Sequence, residues 1–190
     1  MSPNAFHSDG AATTADRDLR ADTASSRAPG ALATAADSAS ASAPQCCAEH
    51  STADVVALTH HDDQWHVLLI ERVKPPFQGR WALPGGRAEP GEAPAVTALR
   101  ELREETGVHV GGDQLRLVGE YDAAGRDPRG DYVSTAYLAV LGHMPSPTAG
   151  DDARLARWHA VSHIVDQLDH LAFDHAQILA HALRLLRLEY

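Results

Sequence analysis

The pattern of apolar and polar positions divides the chain into two unlike parts. Through about residue 50 it holds Ala, Ser, Thr and Asp, with little large apolar content beyond Phe6, Leu19 and Leu32. Such a stretch buries too little surface to offset its chain entropy, so it is expected to be disordered. Residues 51–190 carry regular periods and are expected to form one domain. Residues 53–59 (ADVVALT) read as a buried strand, 60–64 as a polar turn and 65–72 (WHVLLIER) as the second strand of a hairpin. Two prolines and Gly79 mark residues 73–80 as a loop. Residues 114–122 and 132–141 read as strands around a loop at 123–130, and residues 153–161 as a last strand after another loop. A stripe of Leu171, Ile178, Leu179, Ala182, Leu183, Leu185 and Leu186 predicts a terminal helix over residues 168–190.

Between these strands lies the most informative segment, GRAEPGEAPAVTALRELREETGV, from Gly86 to Val108. After Pro90 and Gly91 it takes a helical period. Ala95, Leu99, Leu102 and Thr106 fall on one side. Glu101, Glu104 and Glu105 fall on the other, with Glu104 and Glu105 within roughly 60° of Glu101 on either flank at 100° per residue. Carboxylates at this spacing repel by roughly a few tenths of a kcal/mol on a bare helix. Two readings follow from the residues alone. One is a solvated acidic face partnered by Arg100 and Arg103. The other is a site for a hard divalent cation, which carboxylate oxygens suit, beside a glycine turn that lets the backbone approach closely.

Gly86, Glu92, Arg100, Glu101, Leu102, Glu104, Glu105, Gly107 and Val108 match every fixed position of G-x5-E-x7-R-E-U-x-E-E-x-G-U, with U aliphatic. This resembles the box of the Nudix hydrolase superfamily. The stretches PPFQGRWALPGG, GRDPRGDYVSTAYLAVL and LAFDHAQILAHALRLL look like its ADP-ribose pyrophosphatase-like branch. The resemblance implies an α/β/α sandwich, with a mixed sheet between the box helix and a C-terminal helix. It implies that Glu101, Glu104, Glu105 and the Gly85 carbonyl hold Mg²⁺ or Mn²⁺. It also implies that Arg100 and Glu92 brace the loop against the helix, and that Glu104, Glu101 or a carboxylate outside the box activates water. Glu120, Asp151 and Asp152 are the outside candidates. Two features depart from the branch: Arg87 and Ala88 follow the double glycine where bulky apolar residues are usual, and Pro128 lies further along than expected.

The implied reaction is hydrolysis of a nucleoside diphosphate linked to another moiety, with ADP-ribose giving AMP and ribose 5-phosphate. Nucleoside triphosphates, oxidised ones included, are the alternative substrates. A non-catalytic ADP-ribose-binding regulator is the alternative class; such relatives carry a C-terminal DNA-binding domain, for which the chain to Tyr190 leaves no room. Arg126 and Arg129 are candidate pyrophosphate contacts, since a guanidinium meets phosphate oxygens as a fork; a charged surface loop is the other reading. Phe77 is a candidate base-stacking residue or a packing residue. Lys74, Arg80 and Arg87 are candidate phosphate contacts or surface charges. Asp174 and His175, at the start of the last stripe, are read as structural.

Composition narrows the partners. A net charge of −10 argues against nucleic acid as a partner. There is no apolar run long enough to span a membrane, and no continuous signal-peptide core. Cys46 and Cys47 are the only cysteines, too few for a disulfide framework or a four-ligand zinc site, and fit a cytoplasmic location. His60 and His61 sit in a turn without an evident third metal ligand. A homodimer is an expectation from the resemblance alone.

Overall fold

A computed structural model describes residues 50–150 and 153–187. The expected disordered tail, the two cysteines, Asp151 and Asp152 lie outside the described residues.

Seven strands form one mixed sheet. Strand β1 (Ser51–His61) and β2 (Gln64–Arg72) make an antiparallel hairpin. Asp62 and Asp63 at its tip both take positive φ, 49° and 60°, the two-residue turn whose twist matches the strands it joins. On its other edge β1 runs parallel to β6 (Val133–Leu141), in register from Ser51 opposite Val133 to Thr59 opposite Leu141. Strand β5 (Leu115–Tyr121) adds antiparallel to β6, with its register shifted between Leu117 and Gly119. Strand β7 (Ala153–Ala160) lies along β2. Two short strands were not legible in the sequence pattern: β3 (Trp81–Ala82), paired with β2, and β4 (Gly85–Arg87), paired with β1.

These short strands create the feature that positions the site. Along one edge of β1, residues 52–54 pair with β4, whereas residues 58–61 pair with β2. The edge therefore forks between Asp54 and Leu58. Among the described residues only the Val55 N–H, bonded to the Pro84 carbonyl at 2.8 Å, bridges the gap.

Both faces of the sheet are covered, so β1 reads as an apolar run rather than an alternation. Its side chains still alternate between two cores. Ala53, Val55 and Ala57 pack with Ala98 and Leu102 of α1 (Pro94–Thr106). Val56 and Leu58 pack with Ile178 and Leu179 of α3 (His175–Arg187). The result is the expected α/β/α sandwich. Helix α1 starts with Pro94 and ends at Gly107, whose φ of 68° lets its N–H cap the Arg103 carbonyl at 2.8 Å.

The terminal helix is shorter than its stripe predicts. A short helix α2 (Val161–Val165) and a 3-10 turn at Leu168–His170 precede it. Leu171 is tied as a bridge to Trp81, and the Ala172 N–H bonds the Trp81 carbonyl at 2.8 Å. Apolar Leu171 thus serves β3 rather than a helix, and α3 begins only at His175. The buried face of α1 is also turned from the expectation. It comprises Thr97, Ala98, Leu102, Glu105 and Thr106, while Ala95 and Leu99 are half-buried.

His159 on β7 packs edge-on against Trp81, ring centroids 4.3 Å apart. Its Nε2 is buried without a hydrogen-bond partner, and burial pushes its pKa below the usual imidazole value. The unfolded chain therefore binds the proton more readily, so stability from this group is present above about pH 6.5 and is lost as pH falls. His159→Phe is expected to stabilise by about 1 kcal/mol at neutral pH and by more at pH 5. Urea unfolding midpoints at the two pH values would check this; an equal or lower midpoint in the variant contradicts it.

Candidate active site

The fork in β1 opens a cleft of about 510 Å³ between α1, the loop after β2, the 123–130 loop and the start of α3. That volume suits a nucleotide-sized ligand. Its floor is acidic. Glu101 and Glu105 reach it from α1, and Asp54 from β1. Asp54 is a charged residue inside an apolar strand, 6% exposed. The Ser134 hydroxyl donates to its Oδ2, and its Oδ1 lies 3.6 Å from His175 Nε2. His175 Nδ1 accepts the Leu83 N–H at 2.8 Å, which places the neutral ring's proton on Nε2, facing Asp54. Burial lowers the pKa of His175, keeping the ring neutral.

The glycines of β4 give this floor its closeness. The position of a side-chain Cβ on Gly85 overlaps Asp54 Oδ1, and one on Gly86 overlaps the Glu101 carboxylate. Gly85 N–H donates to Glu105 Oε2 at 2.9 Å. Desolvation, opposed by that bond and aided by Glu101 and Asp54, pushes Glu105 up to about 8. Desolvation likewise raises Glu101.

Arg100 organises the segment between the glycines and α1. It meets Glu92 as a fork at 3.0 and 2.9 Å, the Arg87 carbonyl at 2.9 Å, Glu101 at 2.7 Å and Glu104 at 3.2 Å. The Arg100 bonds hold the Glu92 carboxyl down to about 2. The three acids expected on one face are therefore divided. Glu101 and Glu105 enter the cleft, whereas Glu104, with its side chain 51% exposed, stays on the rim.

Basic side chains also line the cleft. Arg72, Lys74, Arg87, Arg126 and Arg129 line it with Phe173. Arg126 forks onto Asp174 at 2.8 and 2.6 Å, and Arg129 is held by Asp127 at 2.6 Å. Asp174, read from the sequence as structural, thus spends its carboxylate on Arg126. Two sequence candidates stand elsewhere. Arg80 donates to the Asp169 carbonyl at 2.7 Å and is absent from the lining, because the loop turns it toward the 3-10 turn. Phe77 packs edge-on against Phe173 at 4.9 Å and is likewise absent from the lining. Phe173 itself, not singled out by the sequence, takes φ 51°, a conformation costing a non-glycine residue on the order of 1–3 kcal/mol. Glu120 is exposed on β5, outside the cleft lining.

A family model described as NUDIX domain matches residues 48–182. The chain belongs to the Nudix family. An ADP-ribose pyrophosphatase of Methanocaldococcus jannaschii is 40% identical over 119 residues, covering 62% of this chain and 66% of that protein. The Nudix domain of Shewanella oneidensis NrtR, solved with ADP ribose, superposes with a TM-score of 0.64 at 32% identity, covering 72% of this chain and 87% of that one. A bifunctional NMN adenylyltransferase/ADP ribose pyrophosphatase of Francisella tularensis, solved with AMP and a Mn ion, gives 0.63 at 31% identity, covering 71% and 41%. The chain spans roughly half to two thirds of the length of the curated relatives it matches first, 52% and 66%.

Nudix hydrolases generally use divalent metals, and the donor chemistry of this Nudix cleft suits one. Carboxylate oxygens and a backbone carbonyl are the ligands of hard cations. Burial, aided by neighbouring carboxylates, raises Glu101 and Glu105, and a bound cation would favour their charged forms. Among the described residues no three Asp, Glu, His or Cys side chains already stand close enough to grip an ion; Arg100 occupies both Glu101 and Glu104.

Proposed function

We propose that this cleft hydrolyses a nucleoside diphosphate linked to another moiety, with ADP-ribose, converted to AMP and ribose 5-phosphate, as its first substrate. The observation that carries this is one nucleotide-sized cleft with an acidic floor, Glu101, Glu105 and Asp54, lined as well by basic side chains that include Arg72, Arg87, Arg126 and Arg129. A diphosphate needs the basic side chains, and the cation that neutralises it needs the floor. Similarity to the Methanocaldococcus ADP-ribose pyrophosphatase and to the ADP-ribose-bound NrtR domain supports the choice of substrate.

Mg²⁺ or Mn²⁺, held by Glu101, Glu105, Glu104 and the Gly85 carbonyl, would supply charge neutralisation and an acidified water. The chain's own residues do the rest. The guanidiniums orient the phosphates. Arg100 and Glu92 fix the glycine loop against α1, which sets the distance between β4 and the carboxylates. His175, kept neutral, anchors the Leu83 N–H and faces Asp54 with a proton rather than a lone pair. It is therefore an orienting group and not the base. The proposed partner is a nucleotide and not a nucleic acid.

Purified protein in Mg²⁺ or Mn²⁺ is offered ADP-ribose, nucleoside triphosphates and dinucleoside polyphosphates, with Glu104→Gln alongside. Release of AMP and ribose 5-phosphate from ADP-ribose, strongly reduced in the variant, is the expected result. Turnover of triphosphates alone would keep the chemistry and replace the substrate. ADP-ribose binding without any turnover would make the chain a sensor.

A further inference from the structure

The tip of the β1–β2 hairpin, at the far end of β1 from the cleft, reads HHDDQWH from His60 to His66. The register sets Thr59 opposite His66 and His61 opposite Gln64. His61 and His66 therefore share one face of the strand pair, and His60 and Trp65 share the other. His60 packs edge-on against Trp65, ring centroids 5.2 Å apart. On the opposite face His61 and His66 bring their ring centroids to 6.4 Å, and His61 Nε2 lies 3.4 Å from the Asp62 carboxylate. His66 Nδ1 lies 3.2 Å from the Gln64 carbonyl oxygen. A carbonyl only accepts, so this contact puts the neutral ring's proton on Nδ1 and leaves the lone pair on Nε2. A backbone carbonyl on the other ring nitrogen is the outer contact that metal-ligating imidazoles make.

We propose that His61 and His66, joined by the Asp62 carboxylate, form a second metal site, for a divalent transition cation such as Zn²⁺, Ni²⁺ or Cu²⁺. Imidazole nitrogen suits these ions, whereas Mg²⁺ takes oxygen. Two rings on paired strands make a chelate whose spacing the hairpin already fixes, so little order is lost on binding. Asp62 offers the third donor from the adjacent turn, and solvent completes the shell. The side chains of His61 and Asp62 are 54% and 82% exposed, so an ion reaches them directly. The competing role is an exposed ion pair of His61 with Asp62, a weak contact in water. That role accounts neither for the second ring nor for the carbonyl on its Nδ1. From Asp54 to His61 the strand runs about 23 Å, at roughly 3.3 Å per residue, so this ion is separate from any in the cleft. It would tie β1 to β2 across the turn, at the closed end of the hairpin.

Zn²⁺ is the probe, titrated by calorimetry into the full chain with Cys46 and Cys47 alkylated and Mg²⁺ in excess. The wild type is expected to bind an equivalent of Zn²⁺ that His61→Ala and His66→Ala each weaken by at least roughly tenfold, the smallest loss typical even of an outer-shell partner. Asp62→Asn is expected to weaken it several-fold. His60→Ala, on the other face, should bind as the wild type does. Zn²⁺ at about a hundredfold excess over its Kd should raise the wild-type melting temperature by roughly 5–10 °C, and that rise should be lost in His66→Ala. His66→Gln keeps a polar side chain and carries the test should alanine disturb the hairpin. Turnover in Mg²⁺ should be the same in the wild type and His66→Ala. Equal Zn²⁺ binding by the wild type and by a variant lacking both His61 and His66 overturns the proposal. So does an equal loss in His60→Ala, or displacement of the Zn²⁺ by Mg²⁺. A fall in turnover in His66→Ala would overturn the separation of the two sites.

Discussion

Exchanging Glu105 for glutamine is expected to lower kcat on ADP-ribose by about three orders of magnitude while making the fold more stable at pH 8. The first effect follows if the carboxylate holds the cation, since a bound cation contributes several kcal/mol of charge stabilisation and each 1.36 kcal/mol is tenfold in rate. Glutamine keeps the shape and still accepts the Gly85 N–H, so the loop has no reason to move. The second effect comes from burial. In the folded chain Glu105 keeps its proton to about pH 8, whereas unfolded it releases it near 4.5. The folded state binds more protons across that window. Stability from this group is therefore fully present below about pH 4.5 and is lost as pH rises toward 8. Glutamine has no proton to lose, so its advantage over the wild type should grow from pH 5 to pH 9, reaching on the order of a few kcal/mol. Thermal melts at the two pH values, with and without Mg²⁺, would show it. The advantage should shrink in Mg²⁺, where a cation takes the place of the proton. An unchanged kcat would remove Glu105 from the metal site; a pH-independent difference in melting would refute the burial argument.

That opposition between activity and stability was only half visible in the sequence. The box places Glu101, Glu104 and Glu105 on one helix by spacing, yet spacing cannot say which acid enters a cavity. The structure turns the helix so that Glu105 faces β4 and Glu104 faces solvent, because Leu102 and Ala98 fix the buried side. Apolar runs and alternation found the five long strands and missed β3 and β4, which are too short to show a pattern. Those two make the fork at Asp54. Asp54 did carry a signal, a lone charge within ADVVALT, but a pattern that reads the run as buried passes over it. The 123–130 loop advertised Arg126 and Arg129 as free cations. Their carboxylate partners lie 48 residues away for Arg126 and two for Arg129, and the first of these is visible only after folding. Arg72 looked like the polar end of a strand for the same reason. Its side-chain partners are carbonyls two and four residues along and the distant ring of Phe173. The stripe of the last helix extended too far because Leu171, although apolar, is buried against β3 instead.

Arg100→Gln is expected to have the largest destabilising effect, about 2–3 kcal/mol, as for charge-assisted hydrogen bonds broken on one side of a half-buried network. At this domain size that is on the order of 5–12 °C in melting temperature. The Glu92 side chain is only 10% exposed and that of Arg100 18%, so the acid left behind has little water to turn to. Glu101 would lose its closest partner, at 2.7 Å, in the same step. Glu92 holds its charge down to about pH 2 in the folded chain because of the Arg100 fork. Its contribution is therefore present above about pH 4.5 and lost as pH falls toward 2, and the difference between wild type and variant should close in acid. Removing the guanidinium also frees Glu101 and Glu104 from the one cation that now neutralises both. Mg²⁺ should then raise the melting temperature of Arg100→Gln by more than it raises that of the wild type, even while catalysis is poor because the glycine loop has lost its brace. Arg100→Lys, a point charge without a fork, should fall between the two. Melting within a couple of degrees of the wild type in the absence of metal would mean that the loop is held by β4 pairing alone. A Mg²⁺ response no larger than the wild type's would mean that the arginine and the cation do not share those carboxylates.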